Sequence, residues 1–347
     1  MRRILHALPV GYERPIVDLV HEELIGWDIE LRRKDNDSGS LKLTIGSANP
    51  EFDGICTMRS EMVVMNGERE IWRGRVTEQR LVNHCKKQLV CKGLLDYLYD
   101  AVIKPQTFKG TAKDVLAAII AEFNSSNIES YKHFSVGAVA GISDIDYELR
   151  QPTKCFKVLS SLVKEFGGSL KAYRDGENNV IVWRGEGLAY RRLCSQAATF
   201  GENISKMDVT IDGSDIATAL VGTGKGDLLY TASDDEAIAQ FGYIEDAVSF
   251  SQIEDAEELR AKTEEALQER ITQVRSITAS AIDLSSIDSS VEAFEEGEYV
   301  QLTSAAHGLY EAVLVNEIVD PIFTPSKMSI TLGASLEAAS NIMRRLT

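Results

Sequence analysis

The order of elements in the last third of the chain most constrains its fold. From Asp255 to about Arg275, Leu259, Thr263, Leu267, Ile271 and Val274 recur at helical spacing, and Asp255 stands where an N-cap belongs. This long acidic helix runs directly into the alternating segment Ser276–Leu284. Three further strand-like runs follow, Glu298–Leu302, Glu311–Val319 and Ser326–Gly333. A helix feeding a set of strands in this order leaves no obvious place for a catalytic loop. It describes a scaffold.

Residues 1–95 are also β-rich. Trp27–Leu31, Leu41–Ile45, Glu61–Met65, Glu70–Val76 and Lys87–Lys92 carry strand patterning, and Asn66-Gly67 offers two positions tolerant of positive φ for a tight hairpin. The middle changes character. Thr111, with Asp114 three residues on, forms a capping-box-like start to a helix whose apolar face is Val115, Leu116, Ile119, Ile120 and Phe123. A second helix runs from Thr153 to Phe166 on the stripe Phe156, Leu159, Leu162, Val163 and Phe166, and Gly167-Gly168 ends it. A hairpin follows, with Leu170–Tyr173 and Val180–Trp183 joined at Asp175-Gly176. Strand signals return at Ile204–Ile211 and Ala217–Val221. The stretch from Gly222 to Gln240 is polar, and Leu336–Leu346 reads as a short closing helix.

This order gives a β-rich α+β chain: two small β-barrel domains flanking an α+β insertion. The expected divisions are a first barrel at 1–99, the insertion at 100–198, a second barrel at 199–335 with the inserted helix 255–275, and a C-terminal helix at 336–347. With 347 residues, 44% of them hydrophobic, such cores can be filled.

Charge narrows the function. Residues 201–347 hold 27 acidic and 9 basic residues, against 26 and 28 in residues 1–200, so the net charge of −16 sits in the C-terminal part. A phosphate-gripping surface needs the opposite sign. An acidic surface is solvated, or repels an anion such as DNA sliding past. Five cysteines without a CxxC pair point to reduced thiols made in a cytoplasm. The basic tip at Arg2-Arg3 precedes too short an apolar run for a signal peptide, and no stretch approaches the ~18 apolar residues of a membrane helix.

Reactive constellations are weak. His21-Glu22-Glu23-Leu24-Ile25 lacks the second histidine of a zinc-protease motif. His84, Cys85 and Cys91 form the one Cys/His cluster, lack a fourth ligand at a usual spacing and read as edge-strand residues. Gly222-Thr-Gly-Lys-Gly226 lacks phosphate-loop spacing and is followed by Asp227, so it reads as a turn. No Gly-x-Ser-x-Gly elbow occurs. Cys155 and His133 share the middle unit, but Cys155 opens a helix among core residues. The pairs Asp144/Asp146 and Asp234/Asp235 read as solvated loops, Arg32-Arg33-Lys34 is offset by Asp35 and Asp37, and Tyr97 and Tyr99 read as packing aromatics rather than a glycan platform. The sequence therefore nominates no catalytic residue, no cofactor and no metal.

A resemblance spans most of the chain. Thr199–Met207, Ala219–Gly224, Phe241–Glu245, Ile277–Leu284 and the strands up to Ile330–Gly333, together with the helix entry Lys109-Gly110-Thr111, resemble the prophage endopeptidase tail family of tail-associated proteins. That family is similar in fold to the baseplate hub of contractile phage tails. The resemblance implies a virion structural protein at the tail tip. It would form a homotrimer whose six barrels make a pseudo-hexameric ring continuing the tail tube. The distal tail protein would lie above, the tape-measure protein would end in or near the channel, and DNA would pass without specific binding. Many relatives carry C-terminal lytic or receptor-binding domains, and this chain stops just after the second barrel. The alternative functions are a cell-wall-degrading tail endopeptidase and a receptor- or glycan-binding tip module; no catalytic residue carries over.

Overall fold

The structure, a computed structural model, describes residues 2–335 except 9, 10, 19, 84, 227, 272, 273, 287 and 289. The described residues divide into two compact units, one within 2–207 and 278–332, the other within 208–277 and 333–335. At 46% strand and 22% helix among the described residues it is predominantly β.

The N-terminal strands are β1 (Arg2–Leu8), β2 (Tyr12–Val17), β3 (Gly26–Lys34), β4 (Ser40–Gly46), β5 (Glu61–Asn66), β6 (Arg69–Val82) and β7 (Lys86–Gly93). After a 3-10 turn at Leu94–Asp100 come β8 (Val102–Ile103), β9 (Gln106–Gly110), α1 (Ala112–Ser126), β10 (Phe134–Ala140), β11 (Ile145–Leu149), β12 (Thr153–Lys154), α2 (Cys155–Phe166), β13 (Ser169–Asp175) and β14 (Asn178–Arg184). The remainder is β15 (Ala198–Thr199), β16 (Ile204–Asp212), β17 (Ala219–Thr223), β18 (Leu229–Ser233), α3 (Asp235–Phe241), β19 (Glu245–Ser249), α4 (Ala256–Ile271), β20 (Val274–Ala281), β21 (Tyr299–Ser304), β22 (Leu309–Asp320) and β23 (Ser329–Ser335).

The strand sets expected as two barrels are hydrogen-bonded into one 13-stranded sheet, in the order β16-β20-β23-β22-β3-β4-β7-β6-β5-β1-β2, with β21 beside β22 and β15 beside β21. The join is the antiparallel β22–β3 pair, in register from Glu317↔Lys34 to Asp320↔Leu31. The N-terminal sheet core collects Ile4, Ile16, Leu41, Leu43, Met62 and Val76 among others.

The inserted module has its own core. Leu116, Ile119, Phe123, Leu159, Leu162 and Trp183 meet inside it, so the faces read from helical spacing are the faces buried. Thr111 caps α1 by accepting the Asp114 N–H at 3.2 Å. Gly167, at φ 76°, ends α2 in a conformation that a side chain disfavours.

In the second unit β17 pairs antiparallel with β18 and parallel with β19. Leu220, Ala232 and Leu267 form its small core under α4. Asp255 caps α4, accepting from Glu257 N and Glu258 N at 3.0 and 2.9 Å.

Several expectations are corrected. The β5–β6 hairpin turn is Gly67-Glu68 rather than Asn66-Gly67, because Asn66 pairs with Arg69; only Gly67 has positive φ, which suits a type II′ turn rather than I′. The helix expected at 255–275 stops at Ile271, and Val274 already belongs to β20, where Val274, Ile277 and Thr278 favour extended backbone. The polar stretch after Gly222 contains β18 and α3. Cys91 lies in β7, which is flanked on both sides by β4 and β6, and so is not on an edge. β1 and β2 went unread. The closing helix expected at 336–347 falls outside the described residues.

Thr111→Ala removes the α1 cap and is expected to cost about 0.5–2 kcal/mol. The denaturation midpoint reports it; an unchanged midpoint would mean that the cap bond contributes nothing.

Candidate functional site

The residues singled out for possible chemistry are not brought together as a site. Cys155 is fully buried at the start of α2. Burial, with a smaller push from the Glu122 charge, raises its thiol to about 12, the reverse of a reactive thiolate. His133 turns its Nε2 to the Asn127 carbonyl at 2.8 Å. His84 lies outside the described residues, Cys85 is exposed, and burial pushes the Cys91 thiol far up. Among the described residues no group of three or more His, Cys, Asp and Glu is arranged to hold a metal ion.

Gly222 has a packing role. A Cβ there would sit 1.9 Å from Thr263 Oγ1, so the glycine permits the close approach of α4. Lys225 pairs with Glu254. Asp234 caps α3, Asp146 pairs with Lys109, and Asp144 is exposed. Arg32 and Arg33 are paired with Glu317 and Glu296. Tyr97 is buried and donates to Glu61 at 2.7 Å, and Tyr99 packs on Phe156.

One constellation escaped the sequence reading. His6 on β1 places Nδ1 2.6 Å from Glu51 Oε2 and Nε2 2.8 Å from Ser60 Oγ. Tyr12 on β2 donates to the same carboxylate at 2.7 Å. Burial pushes the Glu51 carboxyl up, but hydrogen bonds from Tyr12 and His6 outweigh it and hold the group below the usual carboxylate range. An ionised Glu51 accepts from both, so His6 carries a proton on Nδ1.

In outline this is a serine–histidine–carboxylate relay. Its access is inverted. Ser60 is 0% and His6 1% exposed. The Ser60 oxygen is already engaged by the Cys56 N–H at 2.9 Å. Tyr12, at the carboxylate end, lines a cleft of about 550 Å³ whose walls include neither His6 nor Ser60. The nucleophile therefore sits at the deep end, with no space for an acyl group beside it. What the cluster does is fasten residues 47–60 to β1 and β2, supported by Asn49 donating to the Ile16 carbonyl at 2.7 Å. No local motif signals it, because the partners lie 45 and 54 residues apart.

Among the described residues these groups form no accessible reactive centre. Residues 196–343 match the prophage endopeptidase tail family. The phage-tail resemblance read from the sequence holds. The matched segment begins after the inserted module and excludes His6, Glu51 and Ser60, so the family's name does not attach to that cluster.

No curated protein matches the chain. Among solved structures, the fold is similar to a tail protein from Neisseria meningitidis MC58 (13% identity, TM-score 0.66, 96% of each chain covered). It is similar to the 43 kDa tail protein of prophage MuSo2 from Shewanella oneidensis (13% identity, TM-score 0.66, 96% of this chain and 98% of that one). It is also similar to the E. coli c3393 protein (10% identity, TM-score 0.50, 88% of this chain and 72% of that one). That protein is described as a type VI secretion component with structural similarity to the T4 tail proteins gp27 and gp5. At these identities the shared property is the fold.

The Glu51 carboxyl titrates below its ordinary value of 4.5 in the folded chain, so its contribution to stability is complete above that value and is lost as pH falls through the lower, folded one. Glu51→Gln is expected to flatten the acid limb of stability against pH, measured by denaturant midpoints between about pH 3 and 7. Parallel acid limbs in the two proteins would contradict the assignment.

Proposed function

We propose that this chain is a structural protein of a phage tail, acting as a tail-tip hub. It assembles as a homotrimeric ring that caps the tube and surrounds the DNA channel, with its two strand sets (1–99 and 199–335) as the repeated ring-building lobes. The observation that carries this reading is the tail-protein fold along 96% of the chain, coinciding with the family match over residues 196–343. The likeness to a protein itself compared with gp27 and gp5 favours the hub over other tail positions. On this reading the distal tail protein and the tape-measure protein are the neighbours. The acidic C-terminal part lets DNA pass without adhesion, and the site of action is the virion tail tip.

A cell-wall endopeptidase is the competing reading, drawn from the family's name and from the Ser60–His6–Glu51 geometry. The occluded serine argues against it. Purified protein is expected to give no clearing on peptidoglycan zymograms, and Ser60→Ala phage are expected to infect normally. Clearing that disappears in Ser60→Ala would replace the structural reading with the enzymatic one.

A further inference from the structure

In the three-stranded sheet β10-β14-β13, β13 pairs on one side only, with β14. Along β6, the pairing with β7 reaches no farther than Gly74, so Arg69–Arg73 bond to β5 and are open on the other side. These two open edges line the same cavity. It holds about 270 Å³ and is walled by the consecutive residues 70–73 and 170–174, with no residue of β5 or β14 in its walls. Arg73 and Arg174 also wall the cleft of about 550 Å³, so the two spaces adjoin there.

One end of the β13 edge is already occupied by an amide. Asn36 donates to the Gly168 carbonyl at 3.0 Å and accepts from the Leu170 N–H at 2.7 Å. A residue of a parallel strand makes the same two-point contact, to the C=O before and the N–H after the residue it faces. Hydrogen-bonding direction alternates along a strand, and the Leu170 N–H points away from β14, so Ala172 and Arg174 point the same way. The next two pairs are therefore the Leu170 C=O with the Ala172 N–H, and the Ala172 C=O with the Arg174 N–H. Among the described residues no group of the chain bonds to them. Ala172 and Arg174 are half-buried, and backbone groups so placed need water or a partner.

We propose that this slot receives an extended, acid-bearing peptide segment of a partner protein, which adds to β13 as a parallel strand continuing from Asn36. The backbone selects an extended chain, because the unmet pairs recur every two residues, about 6.6 Å apart. The walls select charge. They carry five cations, Arg33, Lys34, Arg73, Lys171 and Arg174, against three anions, Asp37, Glu70 and Glu296, an excess of two positive charges. Glu70 is engaged by Arg73 and Glu296 by Arg33, while Glu13 and Glu61 reach the arginines from outside the slot. Lys171 donates to the Glu296 carbonyl rather than to a carboxylate, and Lys34 is exposed. Leu170 and Ala172 face the module's core, so Lys171 and Tyr173 lie on the opposite face, where a carboxylate of the added strand meets the ammonium. The inference does not depend on the tail assignment.

The test combines the full chain with a pool of acetylated, amidated hexapeptides built from Asp, Thr, Val and Lys, and reads hydrogen exchange at single amides. In the free chain the Ala172 and Arg174 amides are expected to exchange roughly tenfold or more faster than those of Lys171 and Tyr173, which bond to β14. Retained peptides are expected to be rich in Asp, and to slow Ala172 and Arg174 while leaving Lys171 and Tyr173 unchanged. Ala172→Pro deletes one outward donor without touching a β14 bond, a change that edge strands tolerate. It is expected to weaken retention roughly fivefold, the scale of one backbone hydrogen bond. The exchange arm needs no substitution. Ala172 and Arg174 amides as slow as their neighbours in the free chain, no retained peptide, equal retention of Lys-rich and Asp-rich peptides, or retention that leaves both amides fast would each overturn the proposal.

Discussion

The antiparallel pairing of β22 with β3 is the constraint on which the other parts depend. It brings residues 317–320 against residues 31–34 and so makes one sheet from strands at both ends of the sequence. Arg2 reinforces the closure, donating to both oxygens of Asp320 at 2.8 and 2.7 Å. Asp320 is 2% exposed, so the pair is shielded from solvent, and losing either partner would leave a desolvated charge. The inserted module of residues 94–183, with a core of its own, lies between these strands in sequence. Closing so long a loop costs entropy, and the pairing that closes it is non-local.

That frame explains why the most enzyme-like geometry in the chain is structural. His6 is on β1, which pairs with β2 and β5, and its two ring nitrogens hold the irregular segment 47–60 in place through Glu51 and Ser60. A hydrolytic serine needs an exposed oxygen and donors aimed at an oxyanion. Here the available backbone donor, Cys56 N–H, is spent on the serine itself. The polar groups are satisfied inward and fix the loop's position, which is the requirement of a scaffold whose surfaces must match their neighbours.

Legibility from sequence followed the range of the interactions. The Thr111 cap, the α2 stripe and the Asp175-Gly176 hairpin were readable because their causes lie within a few residues of one another. β1 was not, since His6 is buried by partners far along the chain and Arg2-Arg3 looks like a solvated tip. β18 and α3 hid in a polar stretch whose burial comes from α4 folding back across β17, the contact that Gly222 permits. Two barrels were expected because each strand set is contiguous in sequence; the β22–β3 register that merges them has no local signature. Cys155 reads as a core-facing residue at a helix start and is buried there, whereas the serine–histidine–carboxylate cluster had no spacing to betray it.

A three-dimensional reconstruction of the purified phage tail tests the central claim most directly. The account predicts three copies of this chain in a closed ring at the tip, with density continuous with the tube and the sheet frame recognisable in each copy. A tail whose tip lacks the chain, or holds it as a lone copy outside the tube wall, would contradict it.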